Sequence, residues 1–409
     1  MSNATAHADV LILGGGLVGC ALAVALAKHG IGSVVVDPAD PAVTLTAGFD
    51  GRASAVASAS HRLLDTIGVG ERLAGQGCAI RHIRVSDGLK PGKLDFVPAP
   101  EDQPLGTMYE NRLLRGALHE AAVAADGVDL RMKTRALSVT RDLDGVTAAL
   151  SDGTIVTADL LVAAEGRMSP TREAAGITVA RWQYDHAAII GAFHHERAHE
   201  NIAFEIFYSS GPFALLPLPD DDIGHRSAIV WTVAKADAAG MLKLGDRGFL
   251  AEAEKRMGGF LGALSAPSAR ASYPLGFHHA ARITDTRLAL VGDAAHGIHP
   301  IAGQGLNLGF RDVATLAEVL VEGRRLGLEA GDAQLLARYD RWRSLDTFMV
   351  AAATDTLTRL FGLPGNTVSA VRRFGIGLVD RIPPLKDRFM AEARGESGDM
   401  PKLLMGLPV

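Results

Sequence analysis

Cysteine is nearly absent from this 409-residue chain, with only Cys20 and Cys78 present. Two thiols cannot build a disulfide framework or a cysteine-rich metal centre, and their scarcity fits a reducing cytoplasm. No carboxylates or cysteines at ligand spacing accompany His296 and His299, so no metal site is expected. His194 and His195 read as a solvated loop or strand end. An excess of positive charge is also lacking. A formal net charge of −5 offers no general attraction for nucleic acid, so any anionic group must be held by local contacts. One uncharged run, Val10 to Ala27, resembles a membrane or signal segment, but three consecutive glycines interrupt it and no Lys or Arg precedes it. Internal repeats, low-complexity linkers and nucleophile triad motifs are missing as well.

What remains is an ordinary globular composition, 48% hydrophobic and 21% charged, in a chain long enough for two or three domains. Residues 9 to 37 read DVLILGGGLVGCALAVALAKHGIGSVVVD. Val10 to Leu13 has a buried-strand pattern, Gly14-x-Gly16-x-x-Gly19 a tight turn, Leu17 to Lys28 a helix, and Ser33 to Val36 a second strand ending in Asp37. Gly14 permits the turn, Gly16 lets a pyrophosphate touch the backbone, and Gly19 lets helix and strand pack closely. The unit binds a dinucleotide, with Asp37 on a ribose. It does not by itself separate FAD from NAD.

Two further stretches carry more information. LLVAAEGRMSPTR (160 to 172) is a strand followed by Glu165-Gly166 and Ser169-x-x-Arg172. GDAAHGIHPIAGQGLNLGFRD (292 to 312) is a loop and helix start fed by the strand pattern Arg287 to Val291, and it holds no charged residue between Asp293 and Arg311. With the first motif they resemble the flavin-dependent aromatic hydroxylases of the para-hydroxybenzoate hydroxylase type, and within these the ubiquinone-biosynthesis hydroxylases. That subfamily's signature, His-Pro, an aliphatic, Ala or Gly, then GQGxNxGxxD, is matched from His299 to Asp312. The likeness covers nearly the whole chain. It departs at Glu165-Gly166, where the family usually has Asp-Gly.

The resemblance implies an α/β fold: a Rossmann-like FAD-binding domain from residues 1–75, 106–178 and 281–345, an inserted and mostly antiparallel substrate sheet from 76–105 and 179–280, and a C-terminal helical region from 346–409. Strand-rich stretches at 80–88, 202–209 and 225–234 would build the inserted sheet. It implies that Gly14, Gly16, Leu17, Val18 and Gly19 cradle the FAD pyrophosphate, that Asp37 binds the adenosine ribose, and that Arg52 and Arg112 flank the cofactor. Glu165, Gly166 and Gly292 would also contact FAD, and Asp293 would accept a ribityl hydroxyl. Gly303, Gln304, Gly305, Leu306 and Asn307 would place backbone N–H groups and a positive helix end beside the flavin pyrimidine. Pro300 would lie against the ring near the carbon that reacts with oxygen.

The implied reaction is ring hydroxylation of a polyprenylated phenol in ubiquinone biosynthesis, using O2, an NAD(P)H donor and a flavin C4a-hydroperoxide. Hydroxylation of another aromatic compound stays open, as does a non-enzymatic nucleotide-binding scaffold in a membrane-associated complex. A flavin halogenase is disfavoured, since WxWxIP is absent and the nearest stretch is Arg181 to Tyr184. The recurrence of Ala370, Phe374, Leu378 and Ile382 beside Arg372, Arg373 and Arg381 suits peripheral membrane contact on the cytoplasmic face. It equally suits packing on the FAD domain, on a second copy of the chain, or on a ubiquinone-biosynthesis complex.

Overall fold

The computed structural model describes residues 5–45, 48–89, 93–208, 210–297, 304–344 and 383–409. Its centre is a parallel sheet of the strands Leu288–Leu290, Ile155–Ala163, Thr5–Leu13, Ser33–Asp37 and Val128–Met132, in that order. Three antiparallel strands, Ala136–Arg141, Val146–Leu150 and Thr284–Asp285, extend it to eight. Val10, Leu11, Ile12 and Leu13 are buried in succession, as in a parallel strand covered on both faces. Leu17–Ala27 is buried from Gly19 to Leu26, as expected for a crossover helix inside a parallel sheet. Gln304–Arg325 packs against it, burying Phe310, Val313, Leu316 and Leu320, and ends in Arg324 and Arg325, which suit the negative end of its dipole.

A second sheet of nine strands has Val179–His195, Gly224–Ala234, Gly211–Asp221 and Ile202–Tyr208 at its middle. Its pairings are antiparallel except for Ile202–Tyr208 against His82–Asp87. One face packs on the helices Lys235–Lys243 and Asp246–Met257 through Phe213, Trp231, Phe249 and Met257. Full burial of side chains of this size contributes about 1.5 to 3 kcal/mol each. The other face turns toward the parallel-sheet layer. A small sheet of Ala53–Ala57, Gly106–Glu110 and Cys78–Ile80 joins the two. Across this joint the buried Glu110 pairs with Arg112 (2.5 Å) and with Arg226 of the second sheet (2.7 Å).

Residues 80–88 read as one strand from sequence, but the chain breaks at the exposed Arg81. Cys78–Ile80 enters the small sheet and His82–Asp87 the nine-stranded one, because Arg81 N–H donates to Asn201 C=O and redirects the backbone. The 370–382 stripe lies outside the described residues. Beyond it come a helix, Pro383–Arg394, and a short turn, Lys402–Met405, whose Leu403 and Leu404 are buried in the main core. No helix among the described residues is long and apolar enough to cross a membrane.

Candidate active site

Carboxyl ends of four neighbouring parallel strands open onto two adjoining cavities, the place where open α/β sheets bind ligands. The first, about 520 Å³, is lined by Gly16–Val18, Ala164, Val291–Asp293 and, opposite, by the nine-stranded sheet. The second, about 790 Å³, includes Gly14, Asp37 and Glu165. The glycine turn separates them. Gly14 has φ +109° and a Cβ there would collide with Ala164 C=O; one on Gly19 would collide with Gly14 C=O. Gly16 has nothing within 4 Å of its would-be Cβ, and no side chain caps the helix that it begins. A helix N-terminus with uncapped N–H groups and open space before it fits a diphosphate. The residues present therefore fit a dinucleotide.

Asp37 fastens the turn as well as facing the second cavity, since its carboxylate accepts from Gly15 N–H and Ala39 N–H, each at 2.7 Å. Glu165 also lines that cavity, but its Oε2 accepts from Ser169 Oγ (2.6 Å) and Thr171 N–H (3.2 Å). It caps the short Pro170–Ala174 helix. Gly166, Gly305 and Leu306 line the first cavity, as does Arg52, which is paired to Asp50 at 2.5 Å. Arg112 lines neither cavity; its neighbour Asn111 lines the first.

The Gly292–Asp293 loop is held from three sides. Gly292 N–H donates to Asp312 Oδ2 at 2.8 Å, His278 Nε2 donates to Asp293 C=O at 2.7 Å, and the fully buried Arg172 donates to Ala294 C=O at 3.0 Å. Burial pushes the His278 imidazole down to about 4, reinforced by Arg167 and Arg172, so its ring is neutral. The Asp293 side chain reaches into the first cavity. Desolvation raises its carboxyl, while His296 and Arg167 oppose the rise.

The Asn307 side chain, at the helix start expected beside the flavin, bonds to a neighbouring strand. Its Oδ1 accepts from Ala57 N–H and its Nδ2 donates to Ala55 C=O, both at 2.9 Å. Among the described residues Ala53–Ala57 is an edge strand, paired with Gly106–Glu110 on one side, and the amide bonds to its other side. Pro300 and Gly303 lie outside the described residues, and for Gln304 only the backbone, in the helix, is described.

Residues that sequence reasoning left without a role include Arg167, His278, Arg172, Asp312 and Arg343. Arg172 and Asp312 end two of the motifs, which was the available signal; Arg343 and His278 give none.

The FAD binding domain family matches residues 7–352. Ubiquinone hydroxylase UbiL of Rhodospirillum rubrum is 47% identical, covering 98% of this chain and 94% of its own. The 3-demethoxyubiquinol 3-hydroxylase of Escherichia coli is 33% identical over 95% and 98% of the two chains. Among solved structures, p-nitrophenol 4-monooxygenase of Pseudomonas putida superposes with a TM-score of 0.78 over 97% of this chain and 100% of its own, at 18% identity, which establishes likeness of fold. Glycine turn, paired cavities and full-length relatives converge, and the chain belongs to the FAD-dependent monooxygenases of the ubiquinone hydroxylase family.

Proposed function

We propose that the protein hydroxylates the aromatic ring of a polyprenylated phenol or quinol, with FAD spanning the two cavities and the substrate ring beneath the nine-stranded sheet. The observation that carries this reading is the meeting of two cavities at an uncapped helix N-terminus, roofed by a largely apolar sheet face.

In this reading Gly14, Gly16, Leu17, Val18 and Gly19 hold the diphosphate and Asp37 the adenosine ribose. Asp293 takes a ribityl hydroxyl, and Gly305 and Leu306 bring the start of the Gln304–Arg325 helix to the flavin pyrimidine. Arg52 flanks the cofactor. Arg112, Glu165 and Asn307 position their neighbours. Reduced FAD supplies activated oxygen from O2, with NAD(P)H as the electron source. The chain binds and orients both partners and excludes water from the apolar wall.

A polyprenyl tail does not cross water cheaply, because each methylene removed from water is worth about 0.8 kcal/mol. Delivery from a bilayer by peripheral contact, or from a partner in a biosynthetic complex, follows from that. The direct test is O2-dependent NAD(P)H oxidation by the yellow protein with a short-chain prenylphenol, with the product's mass increase read by mass spectrometry. Oxidation that no phenol or quinol stimulates, with no oxygenated product, would defeat the reading.

A further inference from the structure

The strand Ile202–Tyr208 sends successive side chains to opposite faces of the sheet. Phe204 and Ile206 enter the core behind the sheet, and Glu205 between them faces the first cavity. Register sets Glu205 opposite Ala214, Ala214 opposite Val230, and Val230 opposite Ile190. All four line the cavity. Within this sheet's share of the lining, Glu205 is the one ionisable side chain among the described residues. No hydrogen bond or ion pair engages its carboxyl among them. A second polar group on the same face, Thr232 Oγ1, is buried without a partner among the described residues. An unpaired carboxyl on an apolar wall is costly, and a purely structural acid in such a place carries a partner.

We propose that Glu205 is the catalytic base of the hydroxylation, receiving the proton of the substrate's ring hydroxyl. This rests on the phenol or quinol reading given above. The hydroxyl O–H bond breaks with its electron pair left on the ring oxygen, and a new O–H bond forms on the Glu205 carboxylate. The negative charge passes from carboxylate to ring oxygen, enriching the ring carbons that accept the oxygen atom. After transfer, the oxygenated carbon loses its hydrogen as a proton to water and aromaticity returns. The proton on Glu205 goes back to the ring oxygen, leaving the carboxylate ready. The oxidant is that of the proposed hydroxylation, O2 activated on reduced FAD.

The surroundings suit this role. Burial alone pushes the Glu205 carboxyl up to about 7, into the range where a general base works best near neutrality. Pro212, Ala214 and Leu216 bring no charge from one neighbouring strand. The other, His82–Asp87, brings Asp87 opposite Phe207, one pleat away on the same face. Arg52, Arg167 and Asp293 stand on the opposite wall, and none of these charges contributes to the rise.

The test uses the flavin-loaded protein and two probes. One is a phenol with a single ortho prenyl group. The other is its difluorinated counterpart, assayed at a pH where that hydroxyl is ionised and the parent's is not. E205Q keeps the size of the neutral carboxyl, and full FAD content is expected. Hydroxylation of the parent phenol should fall about 100-fold or more, with hydrogen peroxide replacing product. The wild-type kcat/KM should rise with pH through about 7, and that limb should vanish in the variant. With the ionised phenol, wild type and E205Q should agree within a few-fold. E205D, which retains a carboxylate, should keep the limb, and E205L gives the E205Q readout if E205Q folds poorly. Equal losses on both phenols, or an E205Q that keeps the wild-type rate and pH limb, would overturn the proposal. A wild-type protein that oxygenates neither probe nor any quinol would overturn the hydroxylase reading itself.

Discussion

His296 Nε2 lies 2.7 Å from Asp312 Oδ2, and both side chains are almost wholly buried. The same carboxylate accepts from Gly292 N–H at 2.8 Å and from Arg343 Nε at 2.7 Å. Burial would raise this acid, but His296 and Arg343 outweigh burial and hold it below the usual carboxylate range. Asp312 is therefore ionised, and the Gly292–Asp293 loop hangs on it.

Asp312→Asn should remove the buried negative charge that both Arg343 and His296 face, a loss of about 3 to 5 kcal/mol. Since the folded pKa is depressed, the stability that Asp312 confers is present above the unfolded carboxylate pKa and is lost as pH falls through the folded one. Melting curves against pH should show the variant losing its margin at neutral pH and converging on wild type in acid. Parallel curves at every pH would rule out an ionic role.

Asn307→Leu should strand the buried Ala57 N–H, at about 1 to 3 kcal/mol, and free the half-buried Ala55 C=O. The expected result is a lower melting temperature accompanied by weaker flavin retention. A variant that melts like wild type yet turns over slowly would return the amide to the flavin.

Gly16→Val and Gly19→Ala should separate binding from folding. The first enters open space in an extended backbone, so the flavin-free protein should melt normally while FAD occupancy collapses. The second strikes the Gly14 carbonyl and should lower both. Asp293→Ala, whose side chain has no hydrogen bond among the described residues, should behave like the first. Absorbance of bound flavin and melting of the stripped protein report the two effects independently.

Glu205→Gln should stabilise the protein at alkaline pH. Unfolded, this acid ionises near the usual carboxylate pKa; folded, it does so near 7. Between those values the folded state holds a proton that the unfolded state has lost, so wild-type stability falls as pH rises, by at most about 3 kcal/mol. Unfolding at about pH 5 and about pH 8 should show the variant's advantage only at the higher value. Its absence would mean that the carboxyl is solvated in the folded protein.

The local elements were legible because their signals are local. A helix read over 17–28 runs Leu17–Ala27, and the strand ending at Asp37 is Ser33–Asp37. Asn307 was legible as a motif member but not as a strand partner, because Ala55 lies 252 residues away and nothing near either residue announces the other. Arg343 was hidden for the same reason. Glu205 was hidden by its ordinariness, since an acid between Phe204 and Ile206 reads as the solvent side of an amphipathic strand. Only the layer opposite turns that face into a cavity wall.

The order of strands in the parallel sheet carries a consequence for synthesis. Thr5–Leu13 lies between Ser33–Asp37 and Ile155–Ala163, and Ile155–Ala163 meets its other parallel neighbour only at Leu288–Leu290. On a ribosome the first strand must wait for more than a hundred residues to emerge, and the sheet cannot close until roughly the last third of the chain is being made. Its apolar edge is exposed throughout that interval, so nascent chains should depend on chaperones far more than the finished enzyme does.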